Sequence, residues 1–255
     1  HAEPAPPPHC GLHVGPRHAE PAPSDADLLN IASLADLREV NLSGCKDITD
    51  TGISYLAQAF NMEEILLART SITNAALSSM WEMKSLRVLD VSDTSVSDNG
   101  LSALVYLPSL EGLYLGGTRG GGSGLAYLDR LPELRVLNLS RTGVDDDALD
   151  LLPAEMKLTK LYLNQTDVGD YSLRRIGQYT GLEELEIAEC ANISDAGFSD
   201  LSGLTGLRRL SVYGTEVSDS HVDELTLMRS LESLYVDLAM FDSSAFDILR
   251  SSLPL

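Results

Sequence analysis

Apolar residues return along this chain on a fixed frame. From Leu37 the spacing leucine-x-x-leucine-x-leucine recurs as Leu37-Val40-Leu42, Met62-Ile65-Leu67, Leu86-Leu89-Val91, Leu110-Leu113-Leu115 and Leu134-Leu137-Leu139. It continues as Leu158-Leu161-Leu163, Leu182-Leu185-Ile187, Leu207-Leu210-Val212 and Leu231-Leu234-Val236. Successive copies of the nine begin 24 or 25 residues apart. Within a copy the apolar positions first alternate with period two, as in a short strand. They then step by three and four, as in a helix. Thr94-Ser95-Val96-Ser97-Asp98-Asn99-Gly100-Leu101, followed by Leu104, Leu107 and Leu110, shows the whole unit. Asp50, Asn74, Asp98, Asp146, Asp170, Asp195 and Asp219 stand at the changeover, where a helix N-cap belongs. Self-similarity at this period predicts a stacked array, because one unit alone cannot bury its apolar face.

The pattern resembles the leucine-rich repeat family over residues 37 to about 252. A half-repeat precedes it, since Ser24-Asp25-Ala26-Asp27-Leu28, Ile31 and Leu34 align with the helical part of the unit. Cys45 and Cys190 stand where other copies carry threonine, in the two longer units. Together with the S-D-x-G-L helix start, this is similar to the Cys/Thr-containing variant of F-box proteins and of many bacterial and protozoan repeat proteins. The resemblance implies an α/β fold: a right-handed solenoid of about nine repeats plus the half-repeat, with a parallel concave sheet and short convex helices.

The domain division is then simple. Residues 24–255 are the solenoid, and residues 1–23 are a proline- and histidine-rich tail or linker holding seven of the eleven prolines. Such composition favours extended polyproline conformations. His1, His9, Cys10, His13 and His18 also fall there and are the only metal-ligand candidates, because imidazole and thiolate suit zinc or copper. Their spacing matches no closed tetrahedral site, so no metal or other cofactor is expected. Neither end of the array carries a polar cap. The expectation is a longer chain, or a larger assembly that covers the ends.

Charge removes further classes. The chain has 255 residues with 18 Lys+Arg against 38 Asp+Glu, a net charge of −20. Nucleic-acid binding needs cations to neutralise phosphate, so it is not expected. No apolar run is long enough for a membrane span. Cys45 and Cys190 lie six repeats apart, on the order of 29 Å at about 4.8 Å per strand, too far for a disulfide. They read as small core residues and favour a reducing, intracellular compartment.

No catalytic constellation emerges. The glycine-rich stretch 116–124 lacks the lysine of a phosphate-binding loop and reads as a flexible, under-packed turn that thins the concave wall. Ser218-Asp219-Ser220-His221 tempts a nucleophile–base reading, but His221 falls in the glycine column of the helix start and reads as a surface histidine. An enzyme is therefore not expected.

Sheet alternation places the residues flanking each inward frame position on the concave face. These columns, together with the turn column after them, hold eight acids and four bases, so the face is nearly balanced. Tyrosine and arginine are preferred interface anchors. Tyr114, Tyr162, Tyr213 and Tyr235, with Lys160, Glu186 and Arg209, are the candidate partner-binding residues. The expected function is a non-enzymatic protein-interaction module or scaffold with a protein partner on the concave face. One alternative is the substrate-recognition part of an F-box-type ubiquitin ligase receptor whose F-box lies outside this chain. A second is a secreted binding protein with a metal-binding tail.

Overall fold

The computed structural model describes residues 23–34 and 36–254. The tail and its metal-ligand candidates lie outside the described residues. Nine strands form one parallel sheet in chain order. They are β1 Glu39–Asn41, β2 Glu64–Leu66, β3 Val88–Asp90, β4 Gly112–Tyr114, β5 Val136–Asn138, β6 Lys160–Tyr162, β7 Glu184–Glu186, β8 Arg209–Ser211 and β9 Ser233–Tyr235. Their register sets frame position against frame position, so Leu137, Leu161 and Leu185 are direct neighbours. This is the α/β solenoid that the repeat predicts. The central residue of β1 to β8 is buried and its flanking residues mostly face outward, while in β9 Leu234 is only partly buried.

One continuous apolar core runs the length of the array. Leu, Ile and Val of the frame meet the apolar face of the helical segments, for example Ile53, Leu77, Leu104, Leu173 and Phe198. The segments are short and of two kinds. Asp50–Leu56 and Asp170–Ile176 are α-helical, whereas Ser102–Tyr106 and Ser123–Arg130 wind as 3-10 helix. Threonine in the column shared with cysteine closes the turn after six of the nine strands. Thr70, Thr94, Thr118, Thr142, Thr166 and Thr215 each donate a side-chain hydrogen bond to the carbonyl three residues earlier.

The acid at the start of each helix does not cap it. The N-cap is the residue before, Thr49, Thr73, Ser194 and Ser218 among them, whose hydroxyl accepts the amide two residues on. The acid instead reaches the next repeat. Asp50 accepts both the amide and the hydroxyl of Thr73, each at 2.7 Å. Asp170 accepts the same two groups of Ser194, each at 2.7 Å, and Asp195 those of Ser218 at 2.8 and 2.6 Å. Asp25 of the half-repeat does so for Thr49. The expectation of capping aspartates is therefore corrected to a ladder of side chains, mostly carboxylates, that fastens most repeats to their successors. At the Asp25, Asp50, Asp170 and Asp195 rungs two donors of the next helix start are satisfied.

The glycine-rich repeat is close-packed, not under-packed. Gly120 and Gly121 are buried. Leu101 fills the space beside Gly120, where a Cβ would lie 3.3 Å from its Cδ1. Gly124 lets the backbone of Asp98 approach so closely that a Cβ would stand 2.8 Å from the Asp98 Cα. Gly117 has φ of +69° and leaves room for Asp93, which pairs with Arg141 across it at 2.9 Å. The glycines of this repeat let its neighbours' side chains cross it.

The two cysteines do not bond to each other. Cys190 is a buried free thiol that hydrogen-bonds the Leu163 carbonyl at 3.1 Å. Cys45 is buried and disulfide-bonded. The two cysteines therefore lend no support to an intracellular location. At the C-terminal end Leu234, Val236 and Phe246 are only partly buried, and with Leu249 and Arg250 they line an open groove of about 400 Å³.

Candidate functional site

Six of the seven candidate residues lie on the strands of the concave sheet. Tyr114 ends β4, Lys160 and Tyr162 flank Leu161 in β6, Glu186 ends β7, Arg209 opens β8 and Tyr235 ends β9. Tyr213 follows β8 by two residues. Parallel pairing without a register slip sets Tyr114, Asn138, Tyr162 and Glu186 side by side. It likewise sets Ser211 beside Tyr235.

The candidates fall into two groups. The first is a bonded cluster in the middle of the face. Glu184, which the sequence reading passes over, holds it together: Lys160 Nζ lies 2.7 Å from its Oε1, and the Tyr162 hydroxyl donates to its Oε2 at 2.8 Å. Asn164 Nδ2 donates to Glu186 at 2.8 Å. The Tyr114 ring leans over Gly112, where a Cβ would stand 3.5 Å from its Cε2, so the notch left by that glycine is filled. Burial, with Asp90, Glu64 and Glu184 adding to it, pushes the Tyr114 phenol up. Burial first, and then the bond to Glu184, raises Tyr162 further. Both phenols stay neutral and their rings are held in place. The second group is open. Tyr213 is 52% exposed and Tyr235 53% exposed, with exposed Arg209 in the neighbouring column.

Glu184 was legible only through its neighbours. It occupies the same column as Lys160 one repeat on, and an acid beside a base at a distance of one strand is a cross-strand pair. The hydrogen bond from Lys160 Nζ is the main cause that holds the Glu184 carboxyl below the usual carboxylate range, and the Tyr162 hydroxyl adds to it. A carboxyl whose folded value is depressed stabilises the fold fully above its unfolded value, about 4.3, and loses that contribution as pH falls through the folded value. Thermal melts of wild type and Glu184→Gln between neutral and acid pH should differ most at neutral pH and converge below about pH 4. A difference constant across the range would contradict this.

His221 is not a surface histidine. Its side chain is only 15% exposed. It packs on the Phe198 ring with centroids 5.3 Å apart, Nε2 is 3.7 Å from Asp195 Oδ1, and Nδ1 is 3.4 Å from Glu224 Oε1. Burial opposes charge on Asp195, yet the Ser218 hydroxyl and amide, the Ser220 hydroxyl and His221 together hold its carboxyl below the usual range. The Ser220 hydroxyl donates to Asp195, not to the imidazole, so no nucleophile–base pair forms.

Among the described residues, no helix is long and apolar enough to cross a membrane. No curated protein sequence matches the chain. Solved structures that share its fold include two internalins. One is an internalin C2 from Listeria monocytogenes, with a TM-score of 0.61, 22% identity and 85% of each chain covered. The other is an internalin, inlF, from the same organism, with a TM-score of 0.56 and 20% identity, covering 90% of this chain and 78% of that one. A leucine-rich repeat family model matches residues 34–57 and 82–105, each spanning a strand and most or all of the helical segment after it. With nine such units stacked in register on one sheet, the chain has the leucine-rich repeat fold.

Proposed function

We propose that the chain is a non-enzymatic protein-interaction module that holds a protein partner on its concave face, centred on β6 to β9. The observation that carries this reading is the pair Tyr213, two residues past β8, and Tyr235, at the end of the adjoining β9, each more than half exposed. Large aromatic rings left in water on a rigid sheet cost solvation and bring no core packing in return, and they are the residue type that anchors interfaces. Lys160, Tyr162, Glu184 and Glu186 form a pre-ordered floor next to them, so a partner has little side-chain freedom to freeze on binding. Capture of partners from native extract by wild type and by Tyr213→Ala/Tyr235→Ala tests this. The double variant is expected to lose capture by tenfold or more, at about 1–2 kcal/mol for each anchor. Unchanged capture would move the site elsewhere.

A further inference from the structure

We propose that the concave face from β6 back to β2 binds a proline-rich peptide in the polyproline II conformation, with prolines on Tyr162 and Tyr114 and a basic residue on Glu64. This inference rests on the concave-face reading and names the chemistry of the partner.

Spacing selects the ligand. Tyr114 and Tyr162 share one column two strands apart, with Asn138 between them. Strands lie about 4.8 Å apart, so the two tyrosines are about 9.6 Å apart. A polyproline II helix rises about 3.1 Å per residue with three residues per turn, so side chains at i and i+3 point the same way about 9.3 Å apart. An extended β-type peptide laid across the strands repeats its side chains at about 6.6 Å and about 13 Å, and meets neither ring in step. A further turn of polyproline helix reaches two strands beyond Tyr114, to β2 and its Glu64 and Leu66.

Chemistry agrees with spacing. Both rings are fixed, one over Gly112 and the other by Glu184, and a flat aromatic face is the surface that proline packs on. Asn138 Oδ1 accepts the Ser140 amide, and its Nδ2 donates to no described residue. It is a donor set between the rings, where the peptide would present carbonyls and few amides of its own. At the far end Glu64 pairs in register with Glu39, and neither has an ion-pair partner among the described residues. Like charges side by side on a sheet are destabilising, and a ligand cation relieves them. The fitting sequence is therefore proline-x-x-proline-x-x-arginine or lysine.

Fluorescence anisotropy of the full chain with three fluorescein-labelled synthetic peptides tests the proposal. The first carries the frame proline-x-x-proline-x-x-arginine. The second moves the prolines to a proline-x-proline spacing, and the third replaces the arginine by glutamate. The first is expected to bind saturably, and the other two at least about tenfold more weakly. Tyr114→Leu and Glu64→Lys should each weaken the first peptide about tenfold. Circular dichroism reports whether each variant is folded. If Tyr114→Leu does not fold, Glu64→Lys and the third peptide carry the decision. Equal affinity for all three peptides, or no binding of the first up to about 1 mM, overturns the proposal. If that failure occurs while Tyr213→Ala/Tyr235→Ala still abolishes partner capture, the concave-face reading stands and only this ligand class falls. If neither effect is seen, both fall.

Discussion

Leu161→Ala is expected to destabilise the protein by about 2–5 kcal/mol and to divide its unfolding into two steps. Leu161 is fully buried at the centre of β6, between Leu137 and Leu185 of the neighbouring strands. Truncation removes buried methyl groups and leaves a cavity that the short, rigid strand cannot collapse. In a compact domain that loss is shared by the whole. Here each repeat touches only its neighbours, so the weakened units separate a block ending near β5 from one beginning near β7. Urea unfolding followed by circular dichroism should show an added early transition. Proteolysis should cut first between residues 136 and 186. A single transition with an unchanged midpoint would contradict the prediction.

The second large effect belongs to the ladder. Asp170→Ala should cost about 1.5–3 kcal/mol, the range for hydrogen bonds to a charged group. It removes two acceptors at once and leaves the Ser194 amide and the Ser194 hydroxyl proton without acceptors. The negative charge near a helix N-terminus goes with them, a smaller loss. Asp170→Asn should cost well under half as much. The chain already contains the precedent: Asn74 accepts the Ser97 amide at 2.8 Å through Oδ1 and donates to its hydroxyl at 2.9 Å through Nδ2. Serine satisfies either partner because its hydroxyl both donates and accepts. Equal losses for the two variants, measured by chemical unfolding, would show that charge, and not the bond pair, carries the effect.

The fold was legible because the frame is local and repeated. Leu113, Leu137 and Leu161 announce their strands from spacing alone, and the register follows from superposing the copies. The concave columns were legible for the same reason. What escaped lies between copies. Asp50 looks like a cap when one unit is read alone, and only stacking puts it 2.7 Å from the amide of Thr73. The signal was present as a hydroxyl residue before the acid, as in Thr49-Asp50, Ser194-Asp195 and Ser218-Asp219: one residue caps and the other reaches across. Gly120 and Gly121 read as slack because absent side chains suggest empty space. In the structure Leu101 and Val144 occupy it. His221 read as exposed because its column holds glycine elsewhere, and the ring finds cover against Phe198. Which tyrosines stay open and which are tied to Glu184 depends on rotamers, which no spacing encodes.

The ladder has one missing rung. Asp98 accepts the amides of Gly121 and Gly122 in the fourth repeat, but Gly122 stands where the next acid belongs and offers no carboxylate to Asp145. The fourth and fifth repeats are joined there by Gly121 packed against Val144 and Thr142. Apolar contact has no preferred direction, whereas a paired hydrogen bond fixes an angle. Bending stiffness is then uneven along the array. The sheet stays continuous from β4 to β5 while the helical side can slide, so this joint is where the radius of curvature is softest. It lies under the stretch of sheet between Tyr114 and Tyr162.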